Sequence, residues 1–486
     1  MNEAIRNLEP KALWNHFADL NAVPRASKKE EEVRKFMIDF GHSLGLETIE
    51  DQIGNIIIKK PASPGMQDRK IVILQSHLDM VHQKNNDTDF DFASQGIEMF
   101  VEDDWVKAKG TTLGADNGLG VAAMMAILSS NDIEHPPLEA LFTIDEETGM
   151  TGAKNLDGSL LDGRILLNLD TEEDDEIGIG CAGGVDVTAG RSYDLQEVDD
   201  SQTYGIKVTV KGLNGGHSGM EIHKGLGNSN KILGHLLQSI ESDFRIAEMN
   251  GGGLRNAIPR EAWALIVVDN SDVAGISRAL EETAWELKNE FQHIDPDLTI
   301  LIDAKVTAPE KALNLSDSQS FTAMLNELHN GVFKMSEDIA DLVEASNNVA
   351  RVELKDGKAE VQNLTRSSVE DSKMEVANKL KDSFTKAGFD TNFTGSYPGW
   401  QPNPHSEILK TLEGIYIEMF SEKPKVAACH AGLECGIISE RIPGLDMISF
   451  GPTIRGAHSP DERASISSSQ KFWRYLLQIL KETPVK

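Results

Sequence analysis

The sequence predicts an α/β protein with a mostly parallel sheet and a second, inserted α+β domain. Strand-like and helix-like segments alternate over the first part of the chain. Several strand segments are continuously apolar, among them "KIVILQSH", "LEALFTID" and "RILLNLD". Such runs favour parallel strands that are covered on both faces. The length of 486 residues exceeds one ordinary hydrophobic core and favours two domains.

The elements of the first domain come from both ends of the chain. Apolar residues have helical spacing in "EEEVRKFMIDFGHSLGL", and the strands "GNIIIKK" and "KIVILQSH" come next. The helix "GLGVAAMMAILSS" precedes the strands "LEALFTID" and "RILLNLD". After about residue 400 the alternation returns in the helix "HSEILKTLEGIYIEMF", the strand "LDMISFG" and the helix "SSQKFWRYLLQILKE". We therefore predict one α/β domain formed by residues 1–186 and 400–486.

The middle of the chain has a different pattern. Its strands alternate polar and apolar residues, as in "YGIKVTVKGL", which is typical of a half-exposed strand. The helices "GNSNKILGHLLQSI" and "ISRALEETAWELKNEF" alternate with the strands "EAWALIVV" and "LTILIDAKV", and a weaker echo of this order follows. Residues 187–399 are therefore predicted to form one inserted α+β domain, in which the echo suggests two similar lobes.

Composition and charge argue against several classes of partner. The chain carries 47 basic and 78 acidic residues, and its formal net charge of −31 repels nucleic acid and anionic membrane surfaces. The segment "MNEAIRNLEPKALWNHFADL" lacks the basic start and apolar stretch of a signal peptide, and no apolar run is long enough to cross a bilayer. The cysteines (Cys181, Cys429 and Cys435) are too few for a disulfide framework, which favours a reducing cytoplasm.

Ionisable residues recur at the ends of the apolar strands. His77 and Asp79 follow "IVILQS", and as residues i and i+2 of a strand they point the same way. The further candidates are Glu146 and Glu147 after "LEALFTID", Asp170 at the end of "RILLNLD", His458 in the loop after "LDMISFG", and Asp116 in a Gly-rich turn that opens a helix. Because ligands bind outside the carboxyl ends of strands in an open α/β sheet, we expect these groups to converge.

This set of side chains favours divalent metal ions. Neutral imidazole and carboxylate groups suit zinc, and manganese or cobalt can replace it. The carboxylates outnumber those that one tetrahedral zinc ion needs, so two ions about 3.5–4 Å apart with a shared carboxylate use the set better. Each residue also has an ordinary explanation on its own: a structural histidine, a solvated acidic pair or, for Asp116, a helix cap. Their expected convergence at one sheet edge favours the metal site.

Six segments resemble the di-zinc aminoacylase/carboxypeptidase family of exopeptidases in their order and spacing. They are "SHLDMV", "GTTLGADNGLGVA", "TIDEETGMTGA", "NLDTEE", "GGHSG" and "GPTIRGAHSPDE", and the resemblance covers essentially the whole chain. Within the family it is strongest to dipeptidases. The resemblance implies a di-metal catalytic domain with an inserted lid domain, and two divalent ions per subunit, with Zn²⁺ as the expected ion and Co²⁺ or Mn²⁺ as substitutes.

The resemblance also implies roles for the residues at the strand ends. Asp116 would bridge the two ions, with His77 and Asp170 completing one site and Glu147 and His458 the other. Asp79 would hold the ring of His77 through its second nitrogen, and Glu146 would be the general base that takes a proton from the metal-bridging water. The family often has a cis peptide bond after the bridging carboxylate, which here would join Asp116 to Asn117.

Four further residues are candidates for substrate contacts through the same resemblance. His217 in "LNGGHSGMEIHKG" would stabilise the oxyanion when the lid closes, in its own or a neighbouring subunit; a surface-loop histidine is the alternative. Arg366 in "NLTRSS" would hold the free C-terminal carboxylate, unless it forms an ordinary surface ion pair. Asn256 in "GGGLRNAIPRE" would contact the substrate, and Glu434 in "CHAGLECG" would receive its ammonium group.

The function predicted from these residues is metal-dependent hydrolysis of unblocked dipeptides with broad side-chain tolerance. Xaa-His pairs are included, and β-alanyl-histidine is a further candidate. A site that binds both termini of its substrate measures substrate length and favours dipeptides. The alternatives are an N-acyl amino acid deacylase or tripeptidase of the same family, and a non-catalytic binding protein that retains the fold. We expect small peptides as partners, neither nucleic acid nor membrane, a homodimer and a cytoplasmic location.

Overall fold

The computed structural model describes residues 2–337 and 339–486. These residues form two compact units. The first comprises the chain up to Gly180 together with Trp400–Ala428 and Leu433–Lys486, and the second comprises Cys181–Gly399 and Cys429–Gly432. The boundary that the sequence analysis placed at residue 187 falls inside a strand, Gly183–Ser192, which belongs to the second unit.

The strands are numbered in chain order. Those that begin before the second unit are β1 Glu47–Glu50, β2 Ile56–Lys60, β3 Val72–His77, β4 Met99–Glu102, β5 Trp105–Ala108, β6 Leu138–Thr143, β7 Ile165–Asn168 and β8 Glu176–Cys181. Those of the second unit are β9 Gly183–Ser192, β10 Gln196–Glu197, β11 Thr203–Lys211, β12 Gly216–His217, β13 Phe244–Gly252, β14 Ala257–Ile258, β15 Ala262–Asp269, β16 Thr299–Val306, β17 Lys311–Ala312, β18 Gly331–Met335, β19 Val343–Lys355, β20 Lys358–Ser367 and β21 Asp390–Tyr397. The later ones are β22 Lys425–Cys429, β23 Asp446–Ser449, β24 Ile454–Arg455 and β25 Arg463–Ser465.

The helices are numbered in the same way. They are α1 Glu3–Arg6, α2 Lys11–Leu20, α3 Glu31–Ser43, α4 Ala115–Ser129, α5 Glu146–Gly149, α6 Thr151–Lys154, α7 Ser229–Gln238, α8 Val273–Phe291, α9 Leu315–Glu327, α10 Glu370–Lys386, α11 Glu407–Phe420, α12 Glu434–Arg441 and α13 Ile466–Lys481. Several begin at a side chain that accepts a hydrogen bond from an amide of the first turn, namely Asn228, Asn314, Ser406 and Ser465. Such caps satisfy amides that have no partner within the helix and so fix where it starts.

The large sheet of the first unit has parallel strands at its centre. Its order is β1-β2-β6-β3-β7-β23-β8-β22, and β6, β3, β7 and β23 pair in parallel. Strands β3, β6 and β7 are buried along their whole length, and α4 contacts β3. The continuous apolar runs thus correspond to strands covered on both faces, and the predicted mostly parallel sheet is confirmed for these central strands.

The main sheet of the second unit is antiparallel and continuous across two halves. The strands β16, β11, β15 and β13 lie on one side, and β19, β20, β9 and β21 lie on the other. The halves meet where β13 pairs with β19, from Met249 opposite Leu354 to Gly252 opposite Arg351. Helices α7, α8, α9 and α10 pack against the sheet, and one hydrophobic core joins residues of both halves. The two lobes suggested by the sequence therefore share one sheet.

Some short strands were not predicted from the sequence. β4, β5, β25 and β24 form a small sheet. In this sheet β5, from the segment before α4, pairs with β25, from the segment before α13. Strands of two to four residues are too short for an alternating pattern to distinguish them from loops. Within the described residues, no helix combines the length and apolar character that crossing a membrane requires.

Two helix glycines have opposite surroundings and predict opposite effects on stability. A Cβ at Gly120 in α4 would lie 2.4 Å from Ser76 Oγ and 2.8 Å from the carbonyl oxygen of Leu169, whereas a Cβ at Gly414 in α11 meets nothing within 4 Å. We expect Gly120→Ala to lower the free energy of unfolding by about 1–3 kcal/mol through overpacking. Gly414→Ala should raise it by about 0.5–1 kcal/mol because alanine favours the helix. Urea unfolding measures both, and shifts of the same sign would contradict this packing.

Candidate active site and metal centre

The candidate site lies at the carboxyl edge of the parallel strands in the first unit. β3 ends at His77, and β6 is followed by Glu146 and Glu147 at the start of α5. β7 is followed by Asp170, and the loop between β24 and β25, which come after β23 in the chain, carries His458. Because parallel strands end on the same side of a sheet, these residues arrive at one edge.

Asp116 belongs to two groups of ligand atoms. One group contains His77, Asp116 and Asp170, the other Asp116, Glu147 and His458, and in each group the ligand atoms lie within 4.8 Å of one another. His77 Nε2 is 3.2 Å from Asp116 Oδ1 and 3.5 Å from Asp170 Oδ1. His458 Nε2 is 3.2 Å from Asp116 Oδ2 and 3.0 Å from Glu147 Oε2. The two oxygens of the Asp116 carboxylate therefore face different groups.

Asp79 lies behind this arrangement and holds three parts of it. His77 Nδ1 is 3.4 Å from Asp79 Oδ1, and the hydroxyl of Ser27 donates to Asp79 Oδ2 at 2.7 Å. The amide groups of Glu146 and Glu147 donate to the same carboxylate at 3.0 and 3.3 Å. Burial opposes ionisation, but the hydrogen bonds and the charge of His77 lower the pKa of Asp79. An ionised Asp79 thus fixes both the ring of His77 and the start of α5.

Burial and mutual repulsion of carboxylates dominate the electrostatics of the site. Burial raises the pKa of Asp170 to about 6, and neighbouring carboxylates contribute to the shift. Burial also raises the pKa of Glu146 well above its ordinary value, with smaller contributions from Asp170 and Glu434. The pKa of Glu172, two residues after Asp170, rises to about 8 for the same reasons. This edge of the sheet therefore concentrates negative charge that a cation would relieve.

The donor set fits divalent metal ions. Glu147 Oε1 is buried and has no hydrogen-bond partner in the described part of the chain, which is unfavourable unless a cation takes the place of a donor. Imidazole nitrogens and carboxylate oxygens are ligands of zinc and of similar ions. The two groups that meet at Asp116 offer places for two ions. The peptide bond between Asp116 and Asn117 is cis, as the resemblance predicts.

Glu434 lies beneath this edge of the sheet. Its side chain is 0% exposed, and its Oε2 accepts hydrogen bonds from Gln75 Nε2 at 2.7 Å and Thr143 Oγ1 at 2.6 Å. Burial raises the pKa of Glu434 to about 8. Its Oε1 is buried without a hydrogen-bond partner among the described residues. The contact with a substrate ammonium group that the sequence analysis assigned to Glu434 stays a prediction.

In the second unit, His217 is held in one tautomer. Its Nδ1 accepts hydrogen bonds from the amides of Gly219 at 3.2 Å and Met220 at 3.0 Å. Since Nδ1 acts as an acceptor, the neutral ring carries its proton on Nε2. Burial lowers the pKa of His217, and the positive charge of Arg366 adds to this effect. The ring is therefore a neutral donor at Nε2.

Arg366 is buried in β20 of the second unit, at 5% exposure. Its Nη1 donates to the hydroxyl of Tyr397 at 3.1 Å, while its Nε has no hydrogen-bond partner within residues 2–337 and 339–486. Ser346, opposite Arg366 on β19, lies 2.7 Å from His430 Nε2. Burial, followed by the charge of Arg366, lowers the pKa of His430 to about 3. Because Arg366 is buried, the alternative of an ordinary surface ion pair for Arg366 is wrong.

Asn256 is exposed in the loop before β14, and its carbonyl oxygen accepts a hydrogen bond from the amide of Ser218. The structure thus brings Asn256 beside His217. Tyr397 could not be predicted from the sequence, because its contact with Arg366 joins distant parts of the chain. Glu172 was not predicted either, although a second carboxylate follows Asp170 within "NLDTEE".

The comparison with known families covers the segment that holds the strand-end residues. The profile of peptidase family M20/M25/M40 matches residues 73–482, a range that extends from β3 to α13. The chain belongs to this family. The M20/M25/M40 match includes His77 at its beginning and His458 near its end, so every residue of the two ligand groups lies within it.

Individual proteins extend the similarity to the full chain. The chain is 43% identical over 486 residues to the cytosol non-specific dipeptidase of Escherichia coli (strain K12), and the match covers 99% of each chain. Its structure is similar to that of the aminoacylhistidine dipeptidase of Vibrio alginolyticus, with a TM-score of 0.93, 40% identity and 100% of each chain covered. The aminopeptidase PepT of Bacillus cereus shares the fold at a TM-score of 0.57 and 16% identity, over 98% of this chain and 99% of that chain.

These similarities confirm three predictions: the family, the mixed α/β fold, and an enzyme that hydrolyses peptide bonds. M20/M25/M40 membership together with the two ligand groups also supports divalent metal ions as cofactors. The roles assigned to individual residues stay predictions, and so does the identity of the metal.

The shared carboxylate predicts how metal binding responds to substitution. The wild-type chain should bind two divalent ions, and Asp116→Asn should bind at most one, because an amide offers one oxygen and cannot serve both groups. Asp170→Asn, which alters one group only, should lose one ion and keep the other. Equilibrium dialysis against Zn²⁺ measures both, and two ions bound by Asp116→Asn would contradict the shared geometry.

Proposed function

We propose that this M20/M25/M40 peptidase is a dipeptidase that hydrolyses unblocked dipeptides with broad side-chain tolerance, Xaa-His pairs included. The observation that carries this proposal is the pair of ligand groups that meet at Asp116 beside the half-buried carboxyl of Glu146. Full-length similarity to two proteins named as dipeptidases supports the substrate class. β-Alanyl-histidine is a further candidate substrate on the same grounds.

We propose zinc as the resident ion, two per chain, with cobalt or manganese able to replace it. His77, Asp116 and Asp170 would hold one ion, and Asp116, Glu147 and His458 the other. When bound, such ions polarise a carbonyl group and lower the pKa of water. Because a histidine ligand must be neutral, the hydrogen bonds to Asp116 and Glu147 that raise the pKa of His458 make metal affinity fall as the pH falls.

Glu146 is the proposed proton carrier. Its amide is fixed by Asp79. Its carboxylate also lies within reach of His77 and Glu147, but the two groups that share Asp116 are complete without it, so the carboxylate of Glu146 is available for chemistry. The raised pKa of Glu146 brings its proton affinity closer to those of the attacking water and the departing amine, between which it would carry the proton. Glu146 would take a proton from the attacking water and deliver it to the departing amine.

The second unit supplies the proposed contacts to the rest of the substrate. His217 has a fixed Nε2–H, so it can donate to the oxygen that becomes negative in the transition state without first being protonated. Arg366 is held by Tyr397, and its Nε–H has no hydrogen-bond partner among the residues that the structure describes, which suits it to the C-terminal carboxylate of a dipeptide. Asn256, next to His217, is the third proposed contact.

We also propose a cytoplasmic location, supported by the name of the Escherichia coli relative. A homodimer stays a prediction from the sequence. Small peptides are the expected partners, and the net charge of −31 argues against nucleic acid.

Glu146→Gln should lower kcat by about 10²–10⁴ because the amide cannot accept the proton of water. Zinc content should stay at the wild-type value, since the two groups that meet at Asp116 are intact. The assay uses Ala-His as substrate after reconstitution with Zn²⁺. Glu47→Gln, the same substitution at an exposed carboxylate of β1, should be fully active.

The substrate assay includes N-acetyl-Ala-His, the amide of Ala-His and the tripeptide Ala-Ala-His. Cleavage confined to the free dipeptide would support a dipeptidase that binds both termini. Preference for the acetylated form or the tripeptide would replace the proposal with a deacylase or a tripeptidase. Full activity of Glu146→Gln would refute the assigned general base, and inactivity of the zinc-loaded wild type on all four would leave a non-catalytic binding protein.

Two substitutions in the second unit should distinguish an effect on kcat from an effect on KM. His217→Ala should lower kcat by about 10²–10³ with a smaller change in KM, as expected for a donor that acts in the transition state. Arg366→Met should raise KM for Ala-His, and it should abolish the preference of the wild type for Ala-His over the amide. A preference that survives in Arg366→Met would show that another group binds the carboxylate.

A further inference from the structure

A buried carboxylate far along the chain holds the turn that presents Asp116. Glu462 is 2% exposed, and its Oε2 accepts hydrogen bonds from the amides of Leu113 at 2.7 Å and Gly114 at 2.9 Å. Its Oε1 accepts from the amides of Ala115 at 2.8 Å and Asp116 at 3.2 Å. Four consecutive amides therefore point at one side chain, and the last of them belongs to Asp116 itself.

A buried arginine holds the same turn from its carbonyl side. Arg25 is 1% exposed, and its Nη2 donates to the carbonyl oxygen of Gly114 and to Asn21 Oδ1. Its Nη1 donates to the carbonyl oxygens of Leu78 and Asp79, both at 3.1 Å. Arg25 thus ties the turn before Asp116 to the chain that follows His77 at the end of β3.

Two glycines leave room for this arginine. A Cβ at Gly114 would lie 2.4 Å from Arg25 Nη2, and a Cβ at Gly118 would lie 2.6 Å from the same atom. Gly114 also has a φ of 70°, which residues with a side chain rarely adopt. The glycines of "LGADNG" are therefore explained by the guanidinium as well as by the turn.

We propose that Glu462 and Arg25 are positioning residues of the metal centre, which fix Asp116 relative to His77. The inference rests on the proposed two-metal function. A carboxylate suits Glu462 because both oxygens must accept two N–H groups each, and an amide side chain would turn its own N–H groups toward two of these donors. Arg25 places a buried guanidinium on the carbonyl side of the same turn.

The effect on function follows from the position of Asp116. Its two oxygens face two ligand groups, so a small displacement of its backbone disturbs both groups at once. Partners behind metal ligands typically change metal affinity or activity about 10–100-fold when they are substituted. We therefore expect weaker binding of both ions, rather than of one, when the turn is released.

The test compares Glu462→Gln with Glu139→Gln. Glu139 is also buried, at 3% exposure, and accepts hydrogen bonds from the amides of Asp162 and Gly163, but it lies at the opposite end of β6 from the site. Zinc affinity is measured by competition with a chromophoric chelator, and kcat and KM with Ala-His. Glu462→Gln should bind both ions about 10–100-fold more weakly and lose kcat with little change in KM, whereas Glu139→Gln should keep both properties.

Glu462→Asp and Gly118→Ala keep the inference testable if Glu462→Gln does not fold. Glu462→Asp retains the charge and should recover part of the zinc affinity, and Gly118→Ala, whose Cβ displaces the guanidinium, should weaken both ions without changing a ligand. Wild-type affinity in folded Glu462→Gln, or equal losses in Glu139→Gln, would overturn the inference. Two ions and dipeptide cleavage in the wild type test the proposed function separately, before any variant is compared.

Discussion

The parallel pairing of β3 with β6 on one side and β7 on the other is the constraint on which the candidate site depends. The register places His77 opposite Thr143 and Gln75 opposite Asn168, so the residues that follow each strand emerge side by side. β23 joins the same edge from a distant part of the chain and brings the loop of His458. All three inner strands are buried, and the apolar core that holds them in register also holds the ionisable groups at their ends.

The site is stabilised by its surroundings rather than by its own charges. Burial and repulsion raise the pKa of Asp170 to about 6 and that of Glu434 to about 8, so the surroundings of both carboxyl groups oppose their ionisation. In the same region, His77, the hydroxyl of Ser27 and backbone amides lower the pKa of Asp79 and so favour its ionised form. A cation that binds the folded chain and not the unfolded one would therefore also stabilise the fold.

The candidate ligands at the strand ends could be predicted from the sequence because each lies next to the apolar run that identifies its strand. An apolar run that stops at an ionisable residue, as before His77 and Asp170, identifies both the strand and its candidate ligand. The contacts between distant segments gave no such signal. Glu462 lies 349 residues from Leu113, and Ser346 lies 84 residues from His430, so no periodicity or spacing connects the partners.

The sequence-based boundary at residue 187 falls within β9, six residues after the second unit begins at Cys181. The boundary is hard to locate because β9 continues directly from β8. Only Ala182 separates the end of β8 at Cys181 from the start of β9 at Gly183, and no turn or change of composition marks the passage between the units. The weak internal echo did point to two related halves. It gave no information on their junction, because the pairing of Met249 with Leu354 is a property of the sheet and not of either segment.

The first unit is divided along the chain, and this has a consequence for biosynthesis. β23, His458 and Glu462 are synthesised long after β3, β6 and β7. Until then the parallel sheet lacks its fourth inner strand, one of the two ligand groups at Asp116 lacks His458, and the amides of Leu113, Gly114, Ala115 and Asp116 lack the carboxylate of Glu462. A nascent or prematurely terminated chain would therefore carry an incomplete metal centre. Peptide-bond hydrolysis would begin only after the segment that carries His458 and Glu462 has been synthesised.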